Sequence, residues 1–414
     1  MDILRGVALL GILLMNITGF GLVYPAYNDP TINGGHEGWN LYSWITTNML
    51  FEGTMRAMFS MLFGVGMVLM TSRMEERGGG IEVAEIYYRR TIWLLIFGVI
   101  HGYLILWVGD ILYAYGLFGF FLFPFRNTNP KHLVIATLVL TLCGTALSTY
   151  KYNQRMDGYY AYNKALVLDD GQELSKEEQE SKGMWAGILV ESKPNGDRLQ
   201  EDIVDMNQGY YGLVIHLSSI NRFIQSIGTY DGDPWDILPM MLLGIALYRW
   251  KVITGELSNR TYFLLLIIGY AVGLSVNYYE TNLVMADDFS ITSQLQARLS
   301  YPVGRIAMAM GHIGLIMLFC KSGILMFLQR SLAAVGRMAL TNYIMHSVIC
   351  AFIFYGIGFG FYGLLNRYEL YFIVFGIWLL QLIVSPIWLK YFKFGPLEWG
   401  WRSLTYRKLQ PFKR

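Results

Sequence analysis

The sequence predicts an all-α fold: a polytopic membrane helix bundle of about ten transmembrane helices, with cytoplasmic N- and C-termini. Three observations lead there. Of 414 residues, 54% are apolar and only 15% charged, where soluble domains carry about 25% charge. Ten runs supply the predominantly apolar stretch, roughly 20 residues, that a helix needs to cross hydrocarbon. Lysine and arginine concentrate on alternate sides of those runs. A soluble fold so poor in charge could not cover its apolar surface, and disorder and disulfide scaffolds are excluded by the same figures. A net charge of +2 leaves no footprint for nucleic acid.

The runs cover residues 3–23, 45–71, 91–108, 110–125, 132–150, 235–250, 261–279, 299–320, 338–360 and 370–391. The first begins almost at Met1, carries Arg5 and Asn16 and lacks a small-residue cleavage site, so it is expected to stay on the protein. The second is too long for one upright helix and is expected to tilt or to start along the interface. The third and fourth meet at Val108-Gly109-Asp110, a turn so short that they must be antiparallel neighbours. With the N-terminus inside, Arg73, Arg77, Arg89, Arg90, Arg126, Lys131, Arg249, Lys251, Arg260, Lys321 and Arg330 fall inside with the basic tail, whereas residues 24–44 hold no Lys or Arg.

Four regions follow: five helices in 1–150, a charged extracytoplasmic insert in 151–234, five helices in 235–394, and a basic-aromatic cytoplasmic tail in 395–414. Long loops cross the membrane regardless of charge, and the insert is dense in Lys, Glu and Asp, including Asp169-Asp170. Its later part, Gly209 to Tyr230, suits a helix lying on the interface. The insert reads either as a solvated cap or as a lid over a substrate entrance.

Charge at mid-bilayer costs roughly 2.5–3.5 kcal/mol per residue on insertion scales, so polar residues within the runs are informative. Asp2, Arg5 and Asn16 share a face of the first. Glu52 and Arg56, four apart, are expected to pair. Arg298, Arg305 and His312 recur at intervals of seven, Asn342 and His346 stand four apart just beyond Arg337, and His101 and Asp110 flank the third turn. Such groups either rivet helices together or line a hydrated cavity. Arg5, Arg56 and Arg305 outnumber the carboxylates near them in sequence, which favours an anionic ligand.

Standard catalytic motifs are absent: no Walker loop, no H-E-x-x-H and no G-x-S-x-G. Gly356-x-Gly358-x-Gly360 and Gly64-x-Gly66 read as close helix packing. Cys143, Cys320 and Cys350 lie inside apolar runs without ligand spacing, and no metal is expected. His36 stands in the glycine-rich loop Asn33-Gly34-Gly35-His36-Glu37-Gly38-Trp39-Asn40, where a neutral imidazole can act as a base.

Several segments resemble the bacterial YeiB-like membrane proteins. They are Asp2-x-x-Arg5-Gly6-Val7-Ala8, Phe59-Ser60-x-Leu62-Phe63-Gly64, Gly98-x-x-His101-Gly102 and Gly109-Asp110-Ile111-Leu112, with Gly336-Arg337-Met338-Ala339-Leu340-Thr341-Asn342-Tyr343 and Gly395-Pro396-Leu397-Glu398-Trp399-x-Trp401-Arg402. That family looks distantly similar to the transmembrane acyltransferases, including the lysosomal heparan-alpha-glucosaminide N-acetyltransferase and enzymes that acetylate surface polysaccharides. The resemblance implies a plasma-membrane, multi-pass acyltransferase that takes acyl-CoA (acetyl-CoA) from the cytoplasm and an acceptor, a glycan or small molecule, from the other side. His36 matches that enzyme's His-x-x-Trp-Asn stretch, and the YeiB-like family's steadier histidine corresponds to His101, so either His36 or His101 with Asp110 is the implied acid–base group. Arg5, Arg56, Arg305, Arg337, Asn342 and Arg402 are the implied acyl-CoA contacts. Asp2, Asn16, Glu52, His312, His346 and Glu398 are left as substrate-binding or structural groups. The competing expectation is a secondary transporter or exporter of a small anionic metabolite. Partners expected are the lipid bilayer, acyl-CoA and the acceptor, without nucleic acid; a homo-oligomer is compatible with the sequence.

Overall fold

Helix starts are written locally in this chain. Asn129 accepts from the amide of Lys131 ahead of Pro130, and Ser258 and Ser290 accept from the amides of Thr261 and Ser293, the third residues of their helices. Ser175 with Glu178 and Asn366 with Glu369 form reciprocal capping boxes. The computed structural model describes residues 1–168 and 174–414; Asp169 and Asp170 lie outside the described residues. It is all helical, and among the described residues the sole β-feature is an isolated bridge between Phe392 and Lys413.

The first half contains α1 (Asp2–Gly21), α2 (Trp39–Leu50), α3 (Thr54–Glu75), α4 (Glu82–Tyr103), α5 (Leu112–Leu122) and α6 (Pro130–Leu166). Next come α7 (Lys176–Ser192), α8 (Gly196–Met206), α9 (Tyr210–Phe223) and the single turn α10 (Thr229–Asp231). The second half contains α11 (Asp233–Arg249), α12 (Asn259–Ala286), α13 (Ile291–Ala297), α14 (Tyr301–Ser322), α15 (Met326–Arg337), α16 (Ala339–Phe354), α17 (Arg367–Tyr391) and α18 (Pro396–Tyr406).

Among the described residues, six stretches are long and apolar enough to cross a membrane: α1, α2 with α3, α6, α12, α14 and α17. A seventh is added if α15 and α16, bent by 84° at Met338, count as one broken span. The remaining expected spans fall on helices that miss that standard. α5 has 11 residues and α11 has 17, against the roughly 20 that crossing requires. α4 is long enough but opens with Glu82, Glu85, Arg89 and Arg90. The molecule is thus a polytopic helical bundle.

Small residues let helices meet at backbone distance. A Cβ on Gly6 would collide with the Leu332 carbonyl and one on Gly336 with that of Asp2, so α1 and α15 cross there. Gly64 against Met241 and Gly244 against Met61 do the same for α3 and α11, as expected for Gly64; Gly66 faces open space. Gly356 to Gly360 departs from the packing expectation. The run follows the end of α16, where the Gly356 amide donates to the Met206 carbonyl at 3.0 Å and Gly360 takes φ +67°. It is a tight turn against the end of α8. α4 and α5 are antiparallel neighbours, as their short connection requires, with Gly98 against Tyr113 and Gly116 against Leu95.

Residues 151–234 are helical where described. α7 folds back on α6, seating buried Trp185 against the Tyr159 ring. α9 hangs from α4 through Asn221 Nδ2 to the Gly102 carbonyl at 2.8 Å. Both chain termini lie at one end of the bundle: the Arg414 amide donates to the Tyr391 carbonyl at 3.1 Å, and Trp401 of α18 donates to the Arg90 carbonyl at 2.9 Å.

Candidate functional site

At the other end is a chamber of about 770 Å³, within the usual range for small-molecule sites. Its walls come from the C-terminal halves of α1 and α12, the starts of α3, α5, α11 and α14, the middle of α6 and the α9–α11 connection. Ile12, Met15, Met55 and Ile237 floor it. Beneath them Met58, Met61, Met240, Met241 and Ile245 are wholly buried, an apolar plug. The chamber's lining therefore belongs to one end of the bundle.

Its charges reverse the expected excess of arginine. Arg56, Arg298 and Arg305 face five carboxylates: Glu52, Asp110, Asp233, Asp236 and Glu280. Asp236 holds both Arg56, at 2.6 Å, and Arg305. The expected Glu52–Arg56 pair does not form. Phe51 to Gly53, with Gly53 at φ +64°, breaks the helix between them, so four-residue spacing no longer puts them on one face. Glu52 instead accepts from Tyr27 at 2.8 Å. Sequence reasoning missed Asp233 and Asp236, although two acids at the start of the sixth apolar run were a signal.

Asp110 is bound tightly at the chamber wall. It caps α5 through the Leu112 and Tyr113 amides, at 3.1 and 2.8 Å, and accepts from His101 Nδ1 at 2.7 Å. A carboxylate without a proton can only accept, so His101 carries a hydrogen on Nδ1, and in the neutral imidazole Nε2 is an acceptor. Ser347 Oγ of α16 donates to that nitrogen at 2.7 Å. His101 and Ser347 are 0% and 1% exposed, and the Tyr343 ring packs edge-on against His101. Hydroxyl, imidazole and carboxylate thus form a chain with fixed polarity, the arrangement that activates a serine nucleophile. Sequence reasoning missed Ser347, since a serine within an apolar helix carries no signal of its own.

The other expected site residues divide. Asn16 lines the chamber with Glu52, Arg56 and Arg305. His36 is exposed in its loop and is not part of the chamber wall; the glycines around it let the loop turn away. His312 rivets helices, donating to the Leu50 carbonyl at 2.9 Å while accepting from Tyr270 at 2.7 Å. His346 donates to Gln381 at 2.9 Å, Gln381 donates to the Asn342 carbonyl at 3.0 Å and Asn342 to Ser385 at 3.1 Å, tying α16 to α17. Of the Arg298, Arg305 and His312 stripe, Arg298 precedes α14, and His312 lies off the chamber.

Arg5, Arg337 and Arg402 stand at the terminal end, apart from the chamber. Arg337 is exposed, and Arg5 pairs with Asp2 at 3.3 Å. Arg90 lies within electrostatic reach of both Arg5 and Arg402 and stacks on Trp401 at 3.6 Å. Glu398 is spent on α16: it accepts from the Leu340 and Thr341 amides at 2.6 and 3.0 Å and from the Thr341 hydroxyl at 2.5 Å. Burial raises its carboxyl above the usual range, and the bonds from Thr341 and the amides pull it back. Thr341 Oγ1 in turn accepts from the Leu397 amide at 3.1 Å, so each residue caps the other's helix. Among the described residues no group of three His, Cys, Asp or Glu is placed to hold a metal ion.

A family profile described as "Protein of unknown function (DUF418)" matches residues 247–408. The protein called "Uncharacterized protein YeiB" from Escherichia coli (strain K12) is 30% identical over 419 residues, spanning 99% of this chain and 97% of that protein. The chain belongs to the YeiB-like family. A second relative, "Uncharacterized protein YxaH" from Bacillus subtilis (strain 168), is 28% identical over 100% of this chain and 95% of its own length. No solved structure matches. The profile of this YeiB-like chain takes in Arg305, Ser347, Thr341 and Glu398 but neither His101 nor Asp110.

Proposed function

We propose that the chain is a ten-span cell-membrane acyltransferase, both termini cytoplasmic, that moves an acyl group, acetyl in the simplest case, from cytoplasmic acyl-CoA to an extracytoplasmic acceptor. The chamber is the acceptor site, and the 151–234 insert is its outer lid. The observation that carries the reading is the Ser347–His101–Asp110 chain, whose carboxylate end lines the chamber. Ser347 Oγ attacks the thioester carbonyl as its proton passes to His101 Nε2, and the CoA thiolate leaves with that proton. The acceptor hydroxyl then attacks the seryl ester, giving its proton through His101 to the departing Ser347 oxygen. Both side chains are covered in this state, so the donor must part α4 from α16 to reach them.

Support for the donor side comes from Arg5, Arg90 and Arg402, gathered at the terminal end, where guanidinium groups suit phosphates. Arg90 and His101 are both on α4, about 16 Å apart along its axis at 1.5 Å per residue. A donor lying along α4 would meet both. The test is purified protein with isotopically labelled acetyl-CoA, followed by release of free CoA and intact mass. An acetyl adduct mapped to Ser347, lost in Ser347→Ala and His101→Ala, is the expected result. Neither CoA binding nor adduct would end this reading.

The second reading is a secondary transporter of a small anionic metabolite. Arg298, without a salt-bridge partner among the described residues, favours it. The carboxylate majority in the chamber weighs against it. Solute counterflow in proteoliposomes without acyl-CoA separates the two.

A further inference from the structure

Three of the chamber's five carboxylates make no salt bridge among the described residues: Asp236 is held by two arginines and Asp110 by the His101 imidazole, whereas Arg56 acts on Glu52 and Asp233 only from beyond contact distance and Glu280 has no cation in contact. Glu52 has Tyr27, and Glu280 accepts from Ser300 at 2.5 Å. Five carboxylates face Arg56, Arg298 and Arg305, so the walls carry an excess of negative charge. Partly buried carboxylates without a cation in contact cost free energy, and a bound cation recovers it.

Two independent features point to a ligand. The indole nitrogen of Trp44, a residue 4% exposed that lines the chamber, lacks a hydrogen-bond partner. An indole N–H can only donate, so it calls for an oxygen acceptor. The wall is also rich in aromatic faces, adding Tyr24, Trp107 and Trp235, and such faces attract organic cations. An anion would suit the indole alone and meets neither the carboxylates nor the aromatic faces.

We infer that the chamber binds an organic ammonium compound bearing hydroxyl oxygen, an amino alcohol in class: the nitrogen lies among Glu52, Asp233 and Glu280, and the oxygen accepts from Trp44. This rests on the chamber being the acceptor site, and it names the acceptor. A free solute and an amine-bearing lipid headgroup share this chemistry.

The test is binding to full-length protein in detergent, without acyl donor, by calorimetry and tryptophan fluorescence. The probes are choline, ethanolamine, the uncharged choline isostere 3,3-dimethylbutan-1-ol and the carboxylate 3,3-dimethylbutanoate. The cations are expected to bind at least about tenfold more tightly than the uncharged isostere, with the carboxylate weakest. Glu52→Gln with Glu280→Gln should erase the cation's advantage and leave the uncharged probe unchanged. Should that pair fail to fold, the wild-type charge series decides alone. Equal or better binding of the carboxylate, or no millimolar binding of either cation, overturns the inference. Nanodiscs of phosphatidylglycerol with and without phosphatidylethanolamine assign the source: a lipid headgroup weakens choline binding by competition, and a free solute leaves it unchanged. Because no acyl-CoA is present, a failed transfer reaction leaves this result standing, and a failed charge series leaves the transfer reading standing.

Discussion

Ser347 Oγ lies 2.7 Å from His101 Nε2 across 246 residues of sequence. The contact joins α16 to α4, and Asp110 fixes which atom donates. Removing the hydroxyl strands a buried imidazole nitrogen, at a cost of about 1–3 kcal/mol. Ser347→Ala is therefore expected to lower the thermal midpoint modestly and to abolish acyl-adduct formation. Ser347→Cys should restore both in part. If the residue is only a helix rivet, Ser347→Ala will lower the midpoint and leave the adduct in place.

Asp236 serves two arginines from different helices. Asp236→Asn leaves Arg305 buried beside a neutral amide, and breaking such a pair costs about 3–5 kcal/mol. Unfolding in detergent should show a loss of that size. Arg305→Met in the Asp236→Asn background should cost little more, since the two share one interaction.

Glu398 and Thr341 cap each other's helices. Either Glu398→Gln or Thr341→Ala is expected to lose about 1 kcal/mol, and the double variant less than the sum, by thermal unfolding. Release of the tail would appear as faster hydrogen exchange in α18.

His216 sits between Asp202, at 3.4 Å, and Asp205, at 3.3 Å. The bond with Asp202, chiefly, and both charges hold the imidazole above its ordinary pKa. A raised folded-state pKa gives stabilisation that is complete below the unfolded value, near 6.5, and is lost as pH rises through the folded value. Hydrogen exchange in α8 and α9, corrected for intrinsic rates, should quicken from pH 6 to pH 8. Asp202→Asn should flatten that dependence.

The proposed orientation is checked by single cysteines in a cysteine-free background. Gly38→Cys is expected to react with an impermeant maleimide on whole cells, and Lys408→Cys only after lysis. The opposite pattern would invert the bundle and place the chamber in the cytoplasm.

Much of the architecture was readable from composition. Each apolar run produced helix, although α5 is shorter than expected because Asp110 caps it at Leu112 and the chain tightens into a 3-10 turn at Phe123–Asn127. His101 with Asp110 was legible because nine residues across a tight turn bring them together. Glu52 with Arg56 was misread because the four-residue rule holds only on an unbroken helix. Gly356 to Gly360 was misread because glycine serves a turn as well as a crossing, and only the conformation tells them apart.

By itself the sequence determined membrane class, helical content, helix starts and family. These follow from transfer free energies and capping bonds that act within a few residues. The tertiary structure alone decided that Asp236 pairs with two arginines, that Ser347 completes the His101 chain, and that Glu52, Asp233 and Glu280 share a chamber without salt bridges of their own among the described residues. Each depends on how far a helix is turned about its own axis. All of its packed neighbours set that rotation jointly, so no local stretch of sequence encodes it.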